Sequence, residues 1–360
     1  MGQTRVRRQH VVSRFYLKGF AADERYLTRT VLPGTYSHRM VVNDATVNND
    51  YYTVEFEDGT VSDAAETMFN EIEAPASSAL RGLLSTPVVF PDGDQRDALA
   101  AWIALQYVRS PAIRRQRDEL HSAMVRMVVG VVGKRGLRNF IEEREGVAIS
   151  AARLEAEWED LTKPGGPTSR VRAENHLLNI FELLPSTTQR LVDGRWMIVD
   201  FTENPLVAGD HPVFLMADPE APDWRGVGLG NAHAFGLALS RHRGIIIFTG
   251  DGHAGPDVMG PGSADEARTL NAQTIQNARE AIYHHPDDDP VAWFGGELPQ
   301  PRPTELTVGD NSLILPDAEG YPPPARDDAE PAEPGGFSIA NLVWPIPDRV
   351  FEWMEPDDDQ

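Results

Sequence analysis

The first 60 residues alternate short apolar runs with residues that are typical of turns. Residues 26–32 and 51–56 are rich in β-branched and aromatic side chains. The first run ends at Pro33-Gly34 and the second at Asp58-Gly59, and such pairs commonly close a strand. The pattern therefore predicts strands at the N-terminus of the chain.

From residue 62 to residue 193 the apolar side chains recur at the three- and four-residue spacing of helices. We expect Pro75 to kink the first helix or to begin a new one, and Pro185 to end the last. The predicted helices begin at the Ser62-Asp63 cap, at the Asp94 cap and at Pro111, and two more cover residues 150–161 and 171–184.

Residues 194–285 return to short apolar runs and end in one helix. Strands are predicted at residues 196–201, 213–216, 234–239 and 244–249. Ser263 and Glu266 have the spacing of a capping box, which opens a helix that we expect to run to about Tyr283. The order predicts an α+β fold, with N-terminal strands, a central helical region and a C-terminal antiparallel or mixed sheet with one helix.

Charge divides the chain in two. The net charge is −22, and residues 286–360 contain 18 acidic residues, three basic ones and 14 of the 28 prolines. We therefore predict a single α+β body over residues 1–285 and an acidic, proline-rich tail over residues 286–360 that is partly disordered or docked. Two apolar islands of the tail, at residues 313–315 and 337–353, are the segments expected to dock.

Composition excludes several classes of protein. The chain has no cysteine, so disulfide scaffolds, thiolate metal sites and cysteine nucleophiles are excluded. A general binder of duplex nucleic acid is not expected at a net charge of −22. No apolar run approaches the length of a membrane helix or a signal peptide, so we expect a cytoplasmic protein that does not interact with membranes.

The densest polar cluster lies near the N-terminus, where His10, Arg14, Tyr16 and Lys18 fall within nine residues. His10 is a candidate general base or metal ligand, and the two cations are a candidate anion clamp with Tyr16 beside them. The alternative is an N-terminal anchor whose aromatic side chains pack and whose cations are solvated. The apolar residues that would anchor it are Phe15, Leu17 and Phe20.

A second cluster spans the end of one predicted helix and the start of the next. Gln106 and Arg109 are three residues apart and share a helix face, and Pro111 marks a helix start, where free N–H groups favour an anion. Arg109 and Arg114 could converge there on a carboxylate or phosphate. The alternative is a structural network in which these arginines pair with acids such as Glu71 or Glu73.

The third cluster is the Gly-Asp-His-Pro connection between two predicted strands. Asp210 and His211 are candidates for an acid–base pair or for metal ligands. Equally, Asp210 can form an Asx turn before Pro212.

These clusters, in this order, resemble the motifs of a large microbial family known as domain of unknown function 4238. Residues 9–20 resemble its opening motif, HYVPxFYLKxF, although Val11-Val12-Ser13 replaces Tyr-Val-Pro. His211 stands where the family usually has Asn, and the resemblance covers about residues 8–285. It implies that the polar clusters meet in one pocket, and it brings no established reaction. Shorter similarities lie at Asn49-Asp50-Tyr51-Tyr52, Glu66, Ile72-Glu73, Leu105-Gln106, Arg109-Ser110-Pro111, Asp210-His211-Pro212-Val213 and Leu270-Asn271.

Two functional hypotheses follow. The first is a metal-assisted phosphoesterase or nuclease-like enzyme that acts on a small anionic ligand or a nucleic-acid end. His10, Asp210 and His211 are then catalytic, and Glu73 and Asp210 hold a divalent metal. Its candidate substrate-binding residues are Arg14, Tyr16, Lys18, Gln106, Arg109 and Arg114.

The alternative is a non-catalytic module that binds an anion or a partner protein through the same groups. The acidic tail adds a candidate surface for a basic partner.

Overall fold

A computed structural model describes residues 7–55, 61–62, 64–163, 166–168, 170–222, 226–250, 255–301, 307–308 and 337–338. The chain divides into two compact units. The first consists of Met1–Arg115 and Arg172–Pro303, and the second of Gln116–Val171 and Thr304–Gln360. Both strands and helices are present, and the fold is mixed α+β, as the sequence predicts.

In the described ranges most helices begin close to the predicted residues, although Asp94, predicted as a cap, lies within the first turn of α3. Pro111 opens α4, and Ser150 caps α5 by accepting a hydrogen bond from the Arg153 N–H. The helices are α1 (Arg14–Leu17), α2 (Ala64–Leu84), α3 (Gly93–Val108), α4 (Pro111–Glu145), α5 (Ala151–Thr162), α6 (Ala173–Asp193), α7 (Ala264–Asn277) and α8 (Pro290–Trp293).

The larger sheets both belong to the first unit. A five-stranded mixed sheet has the order β12-β7-β11-β10-β9, with only β12 and β7 parallel, and a four-stranded sheet has the order β3-β2-β13-β8. The strands are β1 (Arg8–His10), β2 (Tyr26–Val31), β3 (Tyr36–Val41), β4 (Val47–Asn49), β5 (Val54–Glu55), β6 (Val61–Ser62), β7 (Arg195–Asp200), β8 (Ala208–Gly209), β9 (Phe214–Met216), β10 (Ala234–Ser240), β11 (Arg243–Phe248), β12 (Val258–Pro261), β13 (Ala281–His284), β14 (Thr307–Val308) and β15 (Phe337–Ser338).

Helix α3 forms the centre of the helical layer of the first unit. It packs against both α2 and α6. Between Leu99 and Val108, eight of the ten residues are buried, including Trp102 and Gln106. A helix that is buried on nearly every side must find internal partners for its polar groups, and Gln106 is such a group.

The N-terminal segment lies against the end of strand β10. Gly19 makes this close approach possible, because a Cβ there would lie 3.2 Å from the Ser240 Cβ. The Gly19 carbonyl accepts a hydrogen bond from the Arg241 N–H. This contact fixes α1 and the following 3-10 turn, Lys18–Phe20, on the sheet.

The prediction that the last helix of the body runs to about Tyr283 is wrong. Helix α7 ends at Asn277, and residues 281–284 form strand β13 between β2 and β8. The Asp210 carboxylate accepts hydrogen bonds from the N–H groups of residues 279–281, which turn the chain from helix to strand. This long-range contact is invisible to helical periodicity.

Two helices continue through the prolines that were expected to interrupt or end them. Pro75 lies inside α2 and Pro185 lies inside α6. A proline within a helix costs about 3 kcal/mol. In α2 the buried residues on both sides of Pro75, such as Phe69 and Leu83, keep the helix on the core.

The predicted strand at residues 51–56 is shorter than expected. Tyr51 and Tyr52 form a turn, and only Val54–Glu55 pairs with Val61–Ser62. Phe56, Asp58 and Gly59 lie outside the described residues. The Tyr52 side chain packs on Phe69 of α2 and donates to the Arg109 carbonyl, whereas the Tyr51 ring contacts Arg114 of α4 and His176 of α6. These contacts hold both tyrosines in a turn.

The described part of the second unit contains most of α4 and all of α5. Helical geometry is interrupted at Gly133, whose φ of 59° favours glycine. Several apolar side chains of α4 are exposed, among them Met124 and Val128. None of the helices in the described ranges is both long and apolar enough to cross a lipid bilayer.

Part of the predicted tail is folded. Helix α8 follows Asp289, whose side chain accepts a hydrogen bond from the Ala292 N–H, and Leu298 is buried among residues that include Val207 and Ile275. Further along, β14 and β15 pair with each other. The island at residues 313–315 and residues 339–353 of the second island lie outside the described residues, and a boundary at residue 286 stays a prediction.

Candidate functional site

The opening motif presents two kinds of side chain. Tyr16, Leu17 and Phe20 are fully buried, whereas Arg14 and Lys18 are exposed. The Lys18 ammonium forms an ion pair with Glu24 at 3.1 Å. The motif therefore anchors itself through one face of the chain and exposes its cations on the other.

Tyr16 lies in the core. Its ring packs against Phe20 and Trp102, with centroid distances of 5.2 and 5.5 Å. Burial raises the pKa of Tyr16, and its hydroxyl has no hydrogen-bond partner among the described residues. Its proposed contact with a substrate stays a prediction.

Ser13 is the centre of a buried hydrogen-bond network that joins the N-terminal segment to α2 and α3. Its Oγ donates to the Glu73 Oε1 at 2.8 Å. The same oxygen lies 2.8 Å from the Trp102 Nε1 and 2.9 Å from each of the Gln106 Nε2 and the Arg109 NH2 groups. The Ser13 N–H also donates to the Gln106 Oε1 at 3.2 Å.

Three N–H donors, one of them from a charged guanidinium, converge on the hydroxyl oxygen of Ser13. A serine hydroxyl has two acceptor lone pairs, so three N–H donors must share them. The hydroxyl proton is directed at a carboxylate that carries the compensating charge. This arrangement explains why a buried glutamine and a buried arginine are tolerated on α3 and at its C-terminal cap.

Glu73 is held through one oxygen and remains partly accessible. Its Oε1 accepts from Ser13 and from the Arg109 guanidinium, the latter at 2.6 Å, whereas Oε2 makes no hydrogen bond with a described residue. The side chain is 20% exposed, against 2% for Arg109. Glu71 and Glu73 were the predicted candidate partners of Arg109 and Arg114, and Glu73 forms the ion pair with Arg109.

His10 lies beside this carboxylate, on strand β1. Its Nε2 is 3.3 Å from the Asn43 carbonyl oxygen. Burial lowers the pKa of His10, and the nearby Arg14 acts in the same direction, whereas the Asn43 carbonyl and Glu73 oppose them. The imidazole is therefore largely neutral at pH 7.

Two tyrosines connect the second cluster to the first. The Tyr52 N–H donates to Gln9 at 2.6 Å, and the Tyr52 hydroxyl donates to the Arg109 carbonyl at 2.9 Å. Arg114 donates to the Tyr51 carbonyl at 3.2 Å and stacks over the Tyr51 ring at 4.8 Å. Arg109 and Arg114 thus engage different protein groups and do not form a shared open clamp in these contacts.

Asp210 acts on the backbone. Its two oxygens accept from the N–H groups of Arg279, Glu280 and Ala281 at 2.8, 2.7 and 3.2 Å. Burial raises the pKa of Asp210, although these three donors act in the opposite direction. Both oxygens are engaged at the junction of α7 and β13.

His211 is buried beside Tyr107, with ring centroids 5.2 Å apart. Its Nδ1 has no hydrogen-bond partner among the described residues. Burial lowers the pKa of His211 to about 3, and Arg279 adds to this effect. Burial also raises the pKa of Tyr107 to about 12, with Arg279 acting in the opposite direction. Both side chains are therefore neutral at pH 7.

The structure brings three of the predicted site residues together at the Ser13 hydroxyl, namely Glu73, Gln106 and Arg109. Arg14 follows Ser13 in the chain, and His10 is near enough for Arg14 and Glu73 to influence its pKa. The described contacts connect neither Asp210 nor His211 to this group. Among the described residues no set of three or more His, Asp and Glu side chains is placed to hold a metal ion. The assignment of Glu73 and Asp210 as metal ligands, and of Asp210 and His211 as catalytic residues, stays a prediction.

Sequence reasoning missed Ser13 and Trp102 as members of the network. Ser13 was noticed only as a replacement for proline in the opening motif. The available signal was Gln106, because a glutamine on a buried helix needs a partner. The sequence does not say which of many polar residues supplies it.

An α+β domain with a buried polar network built from its N-terminal motif is the class of protein that these observations define. A family model described as "Protein of unknown function (DUF4238)" matches residues 8–288, which is most of the chain. The chain belongs to this family. Comparisons with curated proteins and with solved structures give no match.

Proposed function

We propose that the family domain binds a small phosphorylated ligand that also carries hydroxyl groups, such as a mononucleotide. The binding surface is the rim of the network, formed by His10, Arg14 and Glu73. The observation that carries the proposal is the state of Glu73: Ser13 and Arg109 fix one oxygen, and the other is left without a described hydrogen bond on a partly exposed side chain.

Each group at the rim has a separate role in this proposal. Arg14 is exposed and its side chain makes no ion pair or hydrogen bond with a described residue, so it contacts the phosphate. Glu73 Oε2 accepts a hydrogen bond from a ligand hydroxyl. His10 is largely neutral at pH 7 and offers a ring nitrogen as a hydrogen-bonding group. Its pKa is influenced by both Glu73 and Arg14.

Local charge supports an anionic ligand despite the acidic chain. Of the described basic residues in the first 20, Arg7, Arg8 and Lys18 form ion pairs with Asp50, Asp44 and Glu24, whereas Arg14 forms none with a described residue. Arg109 balances Glu73, so the carboxylate does not repel a phosphate as strongly as a free one. The proposal concerns a single small anion, because the net negative charge of the chain disfavours binding of long nucleic-acid strands.

Calorimetric titration with adenosine monophosphate and with inorganic phosphate tests this proposal. We expect the nucleotide to bind more tightly than phosphate, and Arg14→Ala to weaken nucleotide binding by about tenfold or more. Arg138→Ala is the matched control, because Arg138 is exposed and has no described side-chain contact. Equal nucleotide affinities of the wild type and Arg14→Ala would reject the proposal. Equal losses of affinity in Arg14→Ala and Arg138→Ala would reject it too.

A second candidate is hydrolysis of a phosphate ester or of a nucleic-acid end at the same rim. It is favoured by one observation, the lowered pKa of His10, which leaves the imidazole free to accept a proton at pH 7. In its metal-assisted form Glu73 and Asp210 are the ligands, which requires Asp210 to leave three backbone donors.

Turnover assays separate the two candidates. Wild type and His10→Ala are incubated with nucleotides, DNA and RNA, in Mg²⁺, in Mn²⁺ and in chelator. Product from the wild type alone supports hydrolysis with His10 as the base. Binding without product under every condition leaves the binding function.

A further inference from the structure

A concave site lies at one end of the five-stranded sheet, and it shares no residue with the rim of His10, Arg14 and Glu73. Its volume is about 330 Å³, near the lower end of the range for small-molecule sites. The end of α6, the loop that precedes β10 and the end of β11 form its walls. The charged and polar side chains that line it are Arg190, Asp218, Asn231, His233 and Thr249.

The wall of this pocket is built from fixed hydrogen bonds. The Asn231 side chain accepts from the Gly228 N–H at 2.7 Å and donates to the Gly226 carbonyl at 2.9 Å. Arg190 donates to the carbonyls of Gly230 and Ala232 at 2.7 and 2.9 Å. These four hydrogen bonds fix the backbone of a loop of small residues at the pocket.

The positive charge of Arg190 is not neutralised by these contacts. Its third acceptor is the Thr249 hydroxyl, at 3.1 Å, so every described partner of the guanidinium is an uncharged oxygen. No carboxylate of the described residues lies within ion-pair distance of it. Its Nε is buried and has no acceptor among them.

The negative charge of Asp218 is also uncompensated. One of its oxygens accepts from the Glu220 N–H at 2.9 Å, and no described cation forms an ion pair with the exposed carboxylate. Among its described lining residues the pocket therefore has Arg190 as cation and Asp218 as anion, and neither forms an ion pair with another described residue. Such a pair matches a ligand that carries both charges.

We propose that this pocket binds a small zwitterion, a free amino acid or a very short peptide. Asp218 takes the ammonium group, and Arg190, which lines the pocket, supplies the positive charge for the carboxylate. His233 lies in the same wall and limits the space for the ligand side chain. The site is separate from the proposed nucleotide site and does not depend on it.

The test begins with the melting temperature of the full chain in each of the common L-amino acids, because a ligand that binds the folded state raises it. The best ligand is then titrated by calorimetry beside its N-acetyl and its C-terminal amide derivatives. We expect at least one amino acid to stabilise the protein, and each derivative, which lacks one charge, to bind about tenfold more weakly or worse.

Matched variants connect the effect to the pocket. Asp218→Asn keeps an oxygen acceptor for the Glu220 N–H and removes the charge, so we expect it to reduce affinity about tenfold without changing the melting temperature of the free protein. Glu220→Gln makes the same charge change two residues away, outside the lining, and should bind like the wild type. Arg14→Ala should also bind like the wild type, which separates this site from the proposed nucleotide site.

The proposal is overturned if no amino acid changes the melting temperature. It is equally overturned if the capped derivatives bind as well as the free amino acid, or if Asp218→Asn retains full affinity.

Discussion

Arg109 and Arg190 are both held at the end of a helix by three or more protein groups, yet they leave the surrounding protein in different electrostatic states. Arg109 is 2% exposed and its guanidinium contacts the Glu73 carboxylate at 2.6 Å. Arg190 contacts two carbonyls and one hydroxyl. Both guanidiniums make several hydrogen bonds and keep a buried Nε without a described acceptor, but only the charge of Arg109 is neutralised.

The comparison separates two uses of a buried cation. An arginine paired with an acid joins elements of the core, and its removal leaves a buried charge. An arginine that is satisfied by neutral oxygens fixes a loop and still attracts an anion. We therefore expect the Ser13 network to contribute mainly to the fold, and the charge of Arg190 to remain available in its pocket.

The strongest way to break this comparison is to remove Arg109. Arg109→Ala removes the cation that contacts Glu73 and the Ser13 hydroxyl, and we expect the free energy of unfolding to fall by about 3–5 kcal/mol. Urea unfolding followed by circular dichroism measures the change. A loss as small as that of the surface control Arg138→Ala would show that the network does not stabilise the fold.

Removing Arg190 should have a smaller effect, because no buried carboxylate is left behind. Arg190→Ala frees the loop at Gly230 and Ala232, and we expect a loss of about 2–3 kcal/mol. The same unfolding measurement applies. A loss larger than that of Arg109→Ala would reverse the proposed roles of the two arginines.

His211 extends the comparison to a buried group that stays uncharged. The unfolded chain binds a proton with a pKa near 6.5, whereas the folded pKa is about 3, so the unfolded state holds more protons between these values. Stability is therefore present above pH 6.5 and is lost as the pH falls towards 3. We expect His211 to lower the free energy of unfolding by roughly 2 kcal/mol between pH 7 and pH 5.

The control for this prediction is His211→Asn, which introduces the residue typical of the family at that position. Urea unfolding of both proteins at the two pH values measures the difference. If wild type and variant lose the same stability on acidification, His211 is not the group responsible.

The smallest effect is expected at a surface cap, where neither charge nor burial amplifies a hydrogen bond. The Ser263 hydroxyl accepts from the Glu266 N–H, and the Glu266 carboxylate accepts from the Ser263 N–H. Ser263→Ala should lower the free energy of unfolding by about 1 kcal/mol, whereas Ser263→Thr should retain most of the stability of the cap. A loss equal to that of Arg190→Ala would mean that the loop contacts of Arg190 contribute no more than a helix cap.

Local features of the fold were predictable from the sequence, and long-range ones were not. The capping box at Ser263 and the proline at the start of α4 were identified because they depend on neighbours within four residues. The end of α7 was misplaced because it depends on Asp210, about 70 residues away in the chain. Pro75 and Pro185 were given too much weight because packing of their helices outweighs the local penalty.

The candidate site followed the same rule. His10, Gln106 and Arg109 could be singled out as polar residues in apolar surroundings. Their common partner, Ser13, lies 93 and 96 residues from Gln106 and Arg109. Tyr51 and Tyr52 were predicted to lie in a strand because β-propensity contains no information on the contact of Tyr51 with Arg114 or those of Tyr52 with Gln9 and Arg109.

The division of labour between Arg14 and Arg109 is tested most directly by measuring the dissociation constant of adenosine monophosphate for two variants, Arg14→Ala and Arg109→Lys. The lysine keeps a positive charge beside Glu73. The account predicts that Arg14→Ala weakens binding by about tenfold, while Arg109→Lys stays within about twofold of the wild type. A larger loss of affinity in Arg109→Lys than in Arg14→Ala would contradict the account, because ligand binding would then depend on the buried network rather than on its rim.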